Sequence, residues 1–469
     1  MMALPEFAVL GHPNEGKSSV VSTLTEDDRI QVSPVPGETR VSKSYSVTRD
    51  DKEIIRFIDT PGFQAPRQTL AWFRKNPGPD MVARFIAEHE NNPFFADECE
   101  LLTPVANGAG IIYVVDGSRP VREDDLAEME ILRLTGRPRM AVINAKSETR
   151  DNTEVWKEEF RKFFNVIRIF NSNQADFYER IRLMESLKAI DQDIEPLMEG
   201  VIQAFTVEWE KRNHLACAYI VHGMEQALSF SLIRKLKADI DPVTLKENLT
   251  REYQEKIRGI EQKIFGHIRS LFRHHLYDYP LPACSVLRHD LFSNQTWEML
   301  GLTRTQAATA GAVLGGTFGA VLDTAAAGLS FGIFTAIGSA VGAGSAFMGL
   351  RRLANASSRL GGDRVQVGPN ENIQFLYILL DRALLYYTHM SRRAHGRRDV
   401  PETKSQLVSN GDKLGVSTLL TTKQHRVCME FFKACRKKQS TSGKKHSPSF
   451  DRLVASLLED ILKRRINPL

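Results

Sequence analysis

Eight residues near the start of the chain have the types and spacing to hold phosphate: Gly11-His12-Pro13-Asn14-Glu15-Gly16-Lys17-Ser18, a G-x-x-x-x-G-K-S run. Gly11 and Gly16 permit the tight turn in which successive backbone N–H groups point inward at an anion. Lys17 supplies a point charge for the β- and γ-phosphates of a nucleotide, and the Ser18 hydroxyl is of the type that ligates Mg2+. About 40 residues beyond the lysine, an apolar run ends in Asp59-Thr60-Pro61-Gly62. A carboxylate at the end of a strand beside a phosphate loop is placed to hold the same Mg2+ through water, and the Gly62 amide to sense the γ-phosphate. Between the two motifs lies Pro34-Val35-Pro36-Gly37-Glu38-Thr39-Arg40. This loop is too rich in Pro and Gly for regular structure, and Thr39 offers the metal and γ-phosphate a hydroxyl or carbonyl oxygen.

Such groups need a rigid frame. Residues 7–10 read as a strand leading into the phosphate loop, and a helix follows from Ser19. Residues 44–48 and 53–58 are β-runs around a turn at Asp50-Asp51-Lys52. Three further strands, 110–116, 139–143 and 165–170, alternate with helical stretches at 122–135 and 152–164. The alternation predicts an α/β domain, a mostly parallel sheet with helices on both faces and its ligands at the strands' carboxyl ends. Residues 63–109 exceed what a compact sheet connection needs. They read as an insert with helices at 70–74 and 81–90, either a reporter of nucleotide state or a decorative helix pair.

The phosphate loop, the Gly-Glu-Thr-Arg loop and Asp-Thr-Pro-Gly, in this order and spacing, resemble the Era/TrmE-type bacterial GTPases over roughly residues 4–190. The resemblance implies a P-loop GTPase fold that binds GTP and GDP and hydrolyses GTP with Mg2+. It implies nucleotide contacts from Gly11, Asn14, Glu15, Gly16, Lys17, Ser18, Ser19, Asn144, Lys146 and Ser172, and metal binding by Ser18, Thr39 and Asp59. Lys17, Thr39 and Gly62 take the catalytic roles, Thr39 in switch I and Gly62 with Asp59 in switch II. Asn14 stands where some members of the group bind an activating K+ ion. Two departures stand out. The family's guanine-reading Asn-Lys-x-Asp becomes Asn144-Ala145-Lys146-Ser147-Glu148, with Ser147 in the carboxylate's place and Glu148 as a substitute if the loop shifts. A serine cannot accept as a carboxylate does; GTP remains the nucleotide that the resemblance implies. Phe63 replaces the water-orienting glutamine of signalling GTPases, with Gln64 one residue late. Slow hydrolysis is expected unless an ion, a homodimer or a protein activator completes the site.

From about residue 190 the strand alternation stops, and the second half reads as mainly α-helical. Residues 193–212 and 214–231 carry apolar residues at helical spacing, and 245–277 continues with a bundle or coiled-coil seam. Residues 305–350 hold ten glycines and one charge, Asp323. Gly311, Gly315 and Gly319 form G-x-x-x-G-x-x-x-G, and Arg304 and Arg351-Arg352 flank the segment. In lipid, small residues four apart allow close helix contact; in water, the same sequence makes a tightly packed Gly/Ala-rich hairpin inside a bundle. Both readings stay open. Residues 372–387 form an apolar core helix, and basic clusters lie at 391–398 and 436–445.

Composition bounds the rest. The chain has 469 residues, 42% hydrophobic and 25% charged, enough for two or three globular domains. Its five scattered cysteines predict neither a disulfide framework nor a zinc site, and a reducing compartment fits. The first residues lack the charged and apolar regions of a secretory signal. From Arg351 onward, 23 Lys/Arg face 10 Asp/Glu, a net +13 against +5 for the whole, which leaves −8 for residues 1–350. A basic C-terminal third favours an anionic partner. The expected organisation is a GTPase domain over 1–190 with its insert at 63–109, a helical segment over 191–300, the Gly-rich hairpin over 301–352 and a basic helical region over 353–469. The expected function is a nucleotide switch on the cytoplasmic side of the inner membrane, peripheral or hairpin-inserted, contacting anionic lipid. A ribosome- or RNA-associated assembly GTPase, and a nucleotide-gated scaffold or membrane-remodelling protein with little turnover, are the alternatives.

Overall fold

In the computed structural model of the chain, the residues described are 4–27, 41–49, 52–145, 152–236, 241–272, 285–302, 358–361, 364–393, 413–437 and 447–463. Thr39 and its loop, residues 146–148, and residues 305–350 lie outside them, as do the basic clusters except for 391–393 and 436–437. The chain divides into two compact units, the first running to Glu210 and the second taking up at Lys211.

The first unit is built on strands β1 (Glu6–Leu10), β2 (Lys43–Arg49), β3 (Lys52–Asp59), β4 (Gly110–Asp116), β5 (Arg139–Asn144) and β6 (Val166–Phe170). They form one six-stranded sheet in the order β2-β3-β1-β4-β5-β6. Only β2 runs antiparallel to its neighbour. The reason is in the residues. Phe7 to Leu10 and Ile111 to Val115 have no exposed surface, as strands covered on both faces require, whereas the edge strand β2 is polar and buries only Val47. Register then gathers the strand ends at one edge: Val9 lies opposite Asp59, and Asp116 opposite Asn144, which is opposite Phe170. Helices α1 (Lys17–Thr25), α5 (Glu123–Leu134), α6 (Thr153–Phe160) and α7 (Phe177–Lys188) accompany the strands. The first three meet the expectation, α6 ending early in a turn where Phe164 N donates to the Phe160 carbonyl; α7 was not foreseen.

The insert departs from its reading. It holds three helices, α2 (Pro66–Lys75), α3 (Met81–His89) and α4 (Ala96–Ala106), where the sequence suggested two. It is no decoration, because Phe63, Leu70, Phe73, Phe85, Leu101, Leu102 and Val105 enter the same core as Ala8, Leu10 and Tyr113. Phe85 stacks edge-on with Trp72, Phe73 and Phe95, at 5.2–5.5 Å between ring centroids.

In the chain's second half, the two helices expected over 193–231 are one, α8 (Glu195–Ser229). No Gly or Pro interrupts it at Asn213, whose Oδ1 accepts from the Tyr387 hydroxyl at 2.7 Å. Helix α9 (Pro242–Leu271) buries Leu249, Tyr253, Ile257, Ile264 and Ile268 at the expected spacing. The expectation that strands cease fails. Strands β7 (Leu232–Lys235), β8 (Ser358–Gly361) and β9 (Arg364–Val367) form an antiparallel sheet ordered β7-β9-β8, each four residues long and so too short for a period-2 signal. Besides α10 (Asn294–Met299), the unit contains α11 (Ile373–Ser391), α12 (Thr422–Lys437) and α13 (Pro448–Leu462). Helix α11 is the core helix expected there, buried without interruption from Gln374 to Thr388. Among the described residues no helix is long and apolar enough to cross a membrane.

Candidate nucleotide-binding site

The phosphate loop leaves β1 at Gly11, whose φ is +143° and where a Cβ would overlap the Val114 carbonyl oxygen. Only glycine fits there. Gly16 precedes α1 and has no side chain with which to cap it. The helix's first N–H groups and its positive dipole end therefore face the loop, the arrangement that suits an anion. Lys17 is buried and folded back, its Nζ donating to the carbonyls of Gly11 (3.1 Å) and His12 (2.9 Å). Both bonds are to neutral backbone oxygens, which an anionic phosphate outcompetes for an ammonium group.

Next to it, the Ser18 hydroxyl donates to Asp59 Oδ2 at 2.7 Å. Asp59 is 3% exposed, and its Oδ1 is buried with no hydrogen-bond partner among the described residues. Burial raises the Asp59 carboxyl above its ordinary range, and the Ser18 hydrogen bond and Lys17 charge pull it back. An orphaned carboxylate oxygen beside a hydroxyl is a donor set for a small hard cation, so the residues present fit Mg2+. Gly62 meets the loop from the other side: a Cβ there would lie 2.5 Å from Pro13 N. Thr60 fixes the approach by donating to the Val9 carbonyl at 2.9 Å.

Asn144 and Ser172 hold the frame. Asn144 Nδ2 donates to the Glu15 carbonyl (3.1 Å), and its Oδ1 accepts from the Ser172 amide (3.2 Å) and hydroxyl (3.1 Å). The Ser172 carbonyl accepts in turn from Thr23 of α1 at 3.0 Å. The side chains of Asn144 and Ser172 thus tie β5 and β6 to the phosphate loop. Ser19 is buried in α1, and its carbonyl accepts from Thr23. Asn14 adopts a left-handed φ of +67° in the loop. Phe63, the hydrophobic replacement, is fully buried in the core, while Gln64 is exposed.

The side-chain partners of Glu15 and His12 are not legible in the sequence. Glu15, a carboxylate inside a phosphate loop, turns away from the anion's place to accept from the Asp116 amide and from Arg119 Nε at 2.6 Å. Arg119 is in turn held by both oxygens of Asp125 at 2.7 Å. His12 Nδ1 lies 3.0 Å from Glu128 Oε1, and the Tyr113 hydroxyl donates to Glu128 Oε2 at 2.8 Å. The hydrogen bond with Glu128 raises the His12 pKa although burial opposes it. The only signal for these partners was the charge of Glu15 and His12 in a loop built for an anion; which residues answer it depends on the fold.

Residues 6–145 match the family profile described as "50S ribosome-binding GTPase", and residues 158–459 the profile described as "Domain of unknown function (DUF3482)". The chain is 37% identical over 104 residues to GTPase Der of Protochlamydia amoebophila, covering 22% of this chain and 19% of that one. It is 30% identical over 141 residues to the probable GTP-binding protein EngB of Acidobacterium capsulatum, covering 29% and 58%. With the tRNA modification GTPase MnmE of Oceanobacillus iheyensis it shares 25% over 203 residues, covering 41% and 42%. The match thus spans less than two thirds of each relative's length. Among solved structures, Era in complex with MgGDPNP and a segment of 16S ribosomal RNA aligns over 59% of this chain and 92% of its own, at 14% identity and a TM-score of 0.28. The relatives are bacterial P-loop GTPases, as the motifs led one to expect, and the first unit has the α/β P-loop GTPase fold with a largely helical region after it.

Proposed function

We propose that this chain, which belongs to the family described as "Domain of unknown function (DUF3482)", is a switch that binds GTP and hydrolyses it. The observation that carries this reading is the buried, unpartnered Oδ1 of Asp59 next to Ser18 and Lys17. Ser18 and Asp59 would hold Mg2+, with Thr39 the third ligand, and the chemistry the ion would supply there is neutralisation of charge on the transferring phosphoryl group. Lys17 exchanges two backbone carbonyls for phosphate oxygens, and Gly62 approaches the γ-phosphate from beside Pro13. Water attacks in line, with no covalent intermediate. Phe63 is committed to the core, so the group that orients water comes from elsewhere: K+ at Asn14, a second copy of the chain or a protein activator. Asn144 and Ser172 act by fixing the loop, and Lys146 follows Asn144 closely in sequence.

The test is binding of fluorescent GTP and GDP with and without Mg2+, with ATP as competitor. GTP is expected to win over ATP, and Asp59→Asn to lower Mg2+-supported affinity about tenfold while leaving Mg2+-free binding unchanged. Equal Mg2+ support in Asp59→Asn would sink the reading. Faster turnover in KCl than in NaCl, lost in Asn14→Ala, is the expected sign of the K+ role.

The effector we assign to the switch is a membrane surface on the cytoplasmic side of the inner membrane. Residues 305–350, with one charge and ten glycines between basic flanks, support it. The full chain should pellet with anionic liposomes in one nucleotide state and lose that on deletion of 305–350. A second reading, ribosome or RNA association, is favoured by the description of the profile that residues 6–145 match. Salt-sensitive co-sedimentation with ribosomes, without liposome binding, would replace the first reading with the second.

A further inference from the structure

Helix α4 of the insert grips both segments that border the phosphate site. Glu98 Oε1 accepts from the backbone N–H groups of Gln64 (2.7 Å) and Ala65 (2.5 Å), directly after Gly62-Phe63. Glu100 Oε1 accepts from the Ser42 amide at 2.8 Å, and the Glu100 carbonyl accepts from the Ser42 hydroxyl at 3.4 Å. Ser42 stands three residues after Thr39. The exit of one candidate nucleotide-sensing segment and the entry of the next are therefore fastened to one turn of one helix.

The grip is not needed for α2 merely to start. Pro66 at its first position has no N–H to satisfy, and a serine or aspartate at position 65 would cap the helix locally. Glu98, 33 residues from Ala65 in sequence, instead holds the two amides that lead into the helix and leaves its first turn uncapped. Glu98 has no exposed surface, and among the described residues its Oε2 is buried without a hydrogen-bond partner. Burial raises its carboxyl, and the amides of Ala65 and Gln64 pull it back. If residues 64–65 left, Glu98 would keep a buried charge with its hydrogen bonds gone, which is costly. Helix α4 then has to follow the segment after Gly62, and Glu100 carries that displacement to Ser42.

We propose that Glu98 and Glu100 are positioning residues that couple the Thr39 side and the Gly62 side of the site, making α4 the element through which nucleotide state is read. The proposal rests on the GTP-switch reading above. It is tested on the full chain with Glu100→Ala, whose residue is half-buried, and with the buried Glu98→Gln. The readouts are the affinity ratio for GDP and a non-hydrolysable GTP analogue, the thermal midpoint, and hydrogen exchange of residues 96–106. In the unaltered chain, exchange in α4 should differ between the two nucleotides. In Glu100→Ala the affinity ratio should shift about fivefold or more, the lower range of measured coupling energies. A lowered midpoint with an affinity ratio unchanged within twofold, and α4 exchange alike in both states, would reduce the grip to structural support and overturn the proposal. Should Glu98→Gln fail to fold, Glu100→Ala decides alone. If the unaltered chain binds neither nucleotide, the GTP-switch reading itself fails, and this proposal with it.

Discussion

One buried polar cluster in each unit shows two different ways of treating charge. In the second unit, α11 carries Asp381 and Arg382 through the core. Arg382 donates from Nε and Nη2 to Glu261 of α9 (2.5 and 3.1 Å), and from Nη1 to the carbonyls of Val286 and His289. Asp381 accepts from the Ser417 amide and hydroxyl and from the Gly301 amide. Gln374 closes the set by exchanging two hydrogen bonds with the Leu302 backbone. These groups are consumed in holding helices and loops together. In the first unit, Asp59 keeps a bare oxygen, and Lys17 rests on carbonyls it can give up. A buried charge alone says little about function; unfinished coordination says more.

The largest effect is expected where coordination is complete. Glu261→Ala leaves the Arg382 guanidinium buried without its counter-charge and should cost about 3–5 kcal/mol in urea unfolding. A loss below about 1 kcal/mol would mean that water reaches Arg382 and that the second unit's network is less closed than its geometry. Lys17→Ala should do the opposite. Hydrolysis is expected to fall about 100-fold or more, the range seen when a preorganised group facing developing charge is removed. The thermal midpoint of the nucleotide-free chain should fall less than in Glu261→Ala, because the carbonyls that accept from Lys17 belong to its own loop, although Asp59 loses the charge that holds its carboxyl down. A large drop in that midpoint would make Lys17 a structural residue like Arg382 and break the contrast.

How far the sequence reveals all this follows the same division. The phosphate loop, Asp59 and the central strands were legible because local constraints dictate them: Gly11 by a backbone contact, β4 by burial on both faces. The periodic stripe of α9 was legible for the same reason. The partners of Glu15 and His12 were not, because Arg119 and Glu128 lie over 100 residues away and are selected by sheet register. Helix α4 is not legible, because Asn91-Asn92-Pro93 precedes it and Pro104 lies inside it. The strands β7 to β9 were invisible because four residues set no period and their pairing joins residue 235 to residue 364.

His12 stands between the two kinds of site and gives the smallest effect. It belongs to the phosphate loop, yet its imidazole is paired with a carboxylate, Glu128, that has no exposed surface. The groups around it act in both directions: Glu128 and the Glu15 charge raise its pKa, and burial and Arg119 lower it, with a net rise above 6.5. A histidine whose folded pKa exceeds its unfolded value binds more protons when folded. Its contribution to stability is therefore complete below pH 6.5 and fades as pH climbs through the raised folded value. The imidazole is about a quarter exposed, so the contribution should be about 1 kcal/mol at most, the range of a partly solvated ion pair. Thermal unfolding of the nucleotide-free chain should thus show a downward slope above pH 6.5 that His12→Asn flattens. If the slope survives in His12→Asn, another group titrates there, and the pair is a neutral hydrogen bond that shapes the loop without charging it. If the slope is lost, the loop carries a second cation besides Lys17, and GTP affinity should weaken over the same pH window.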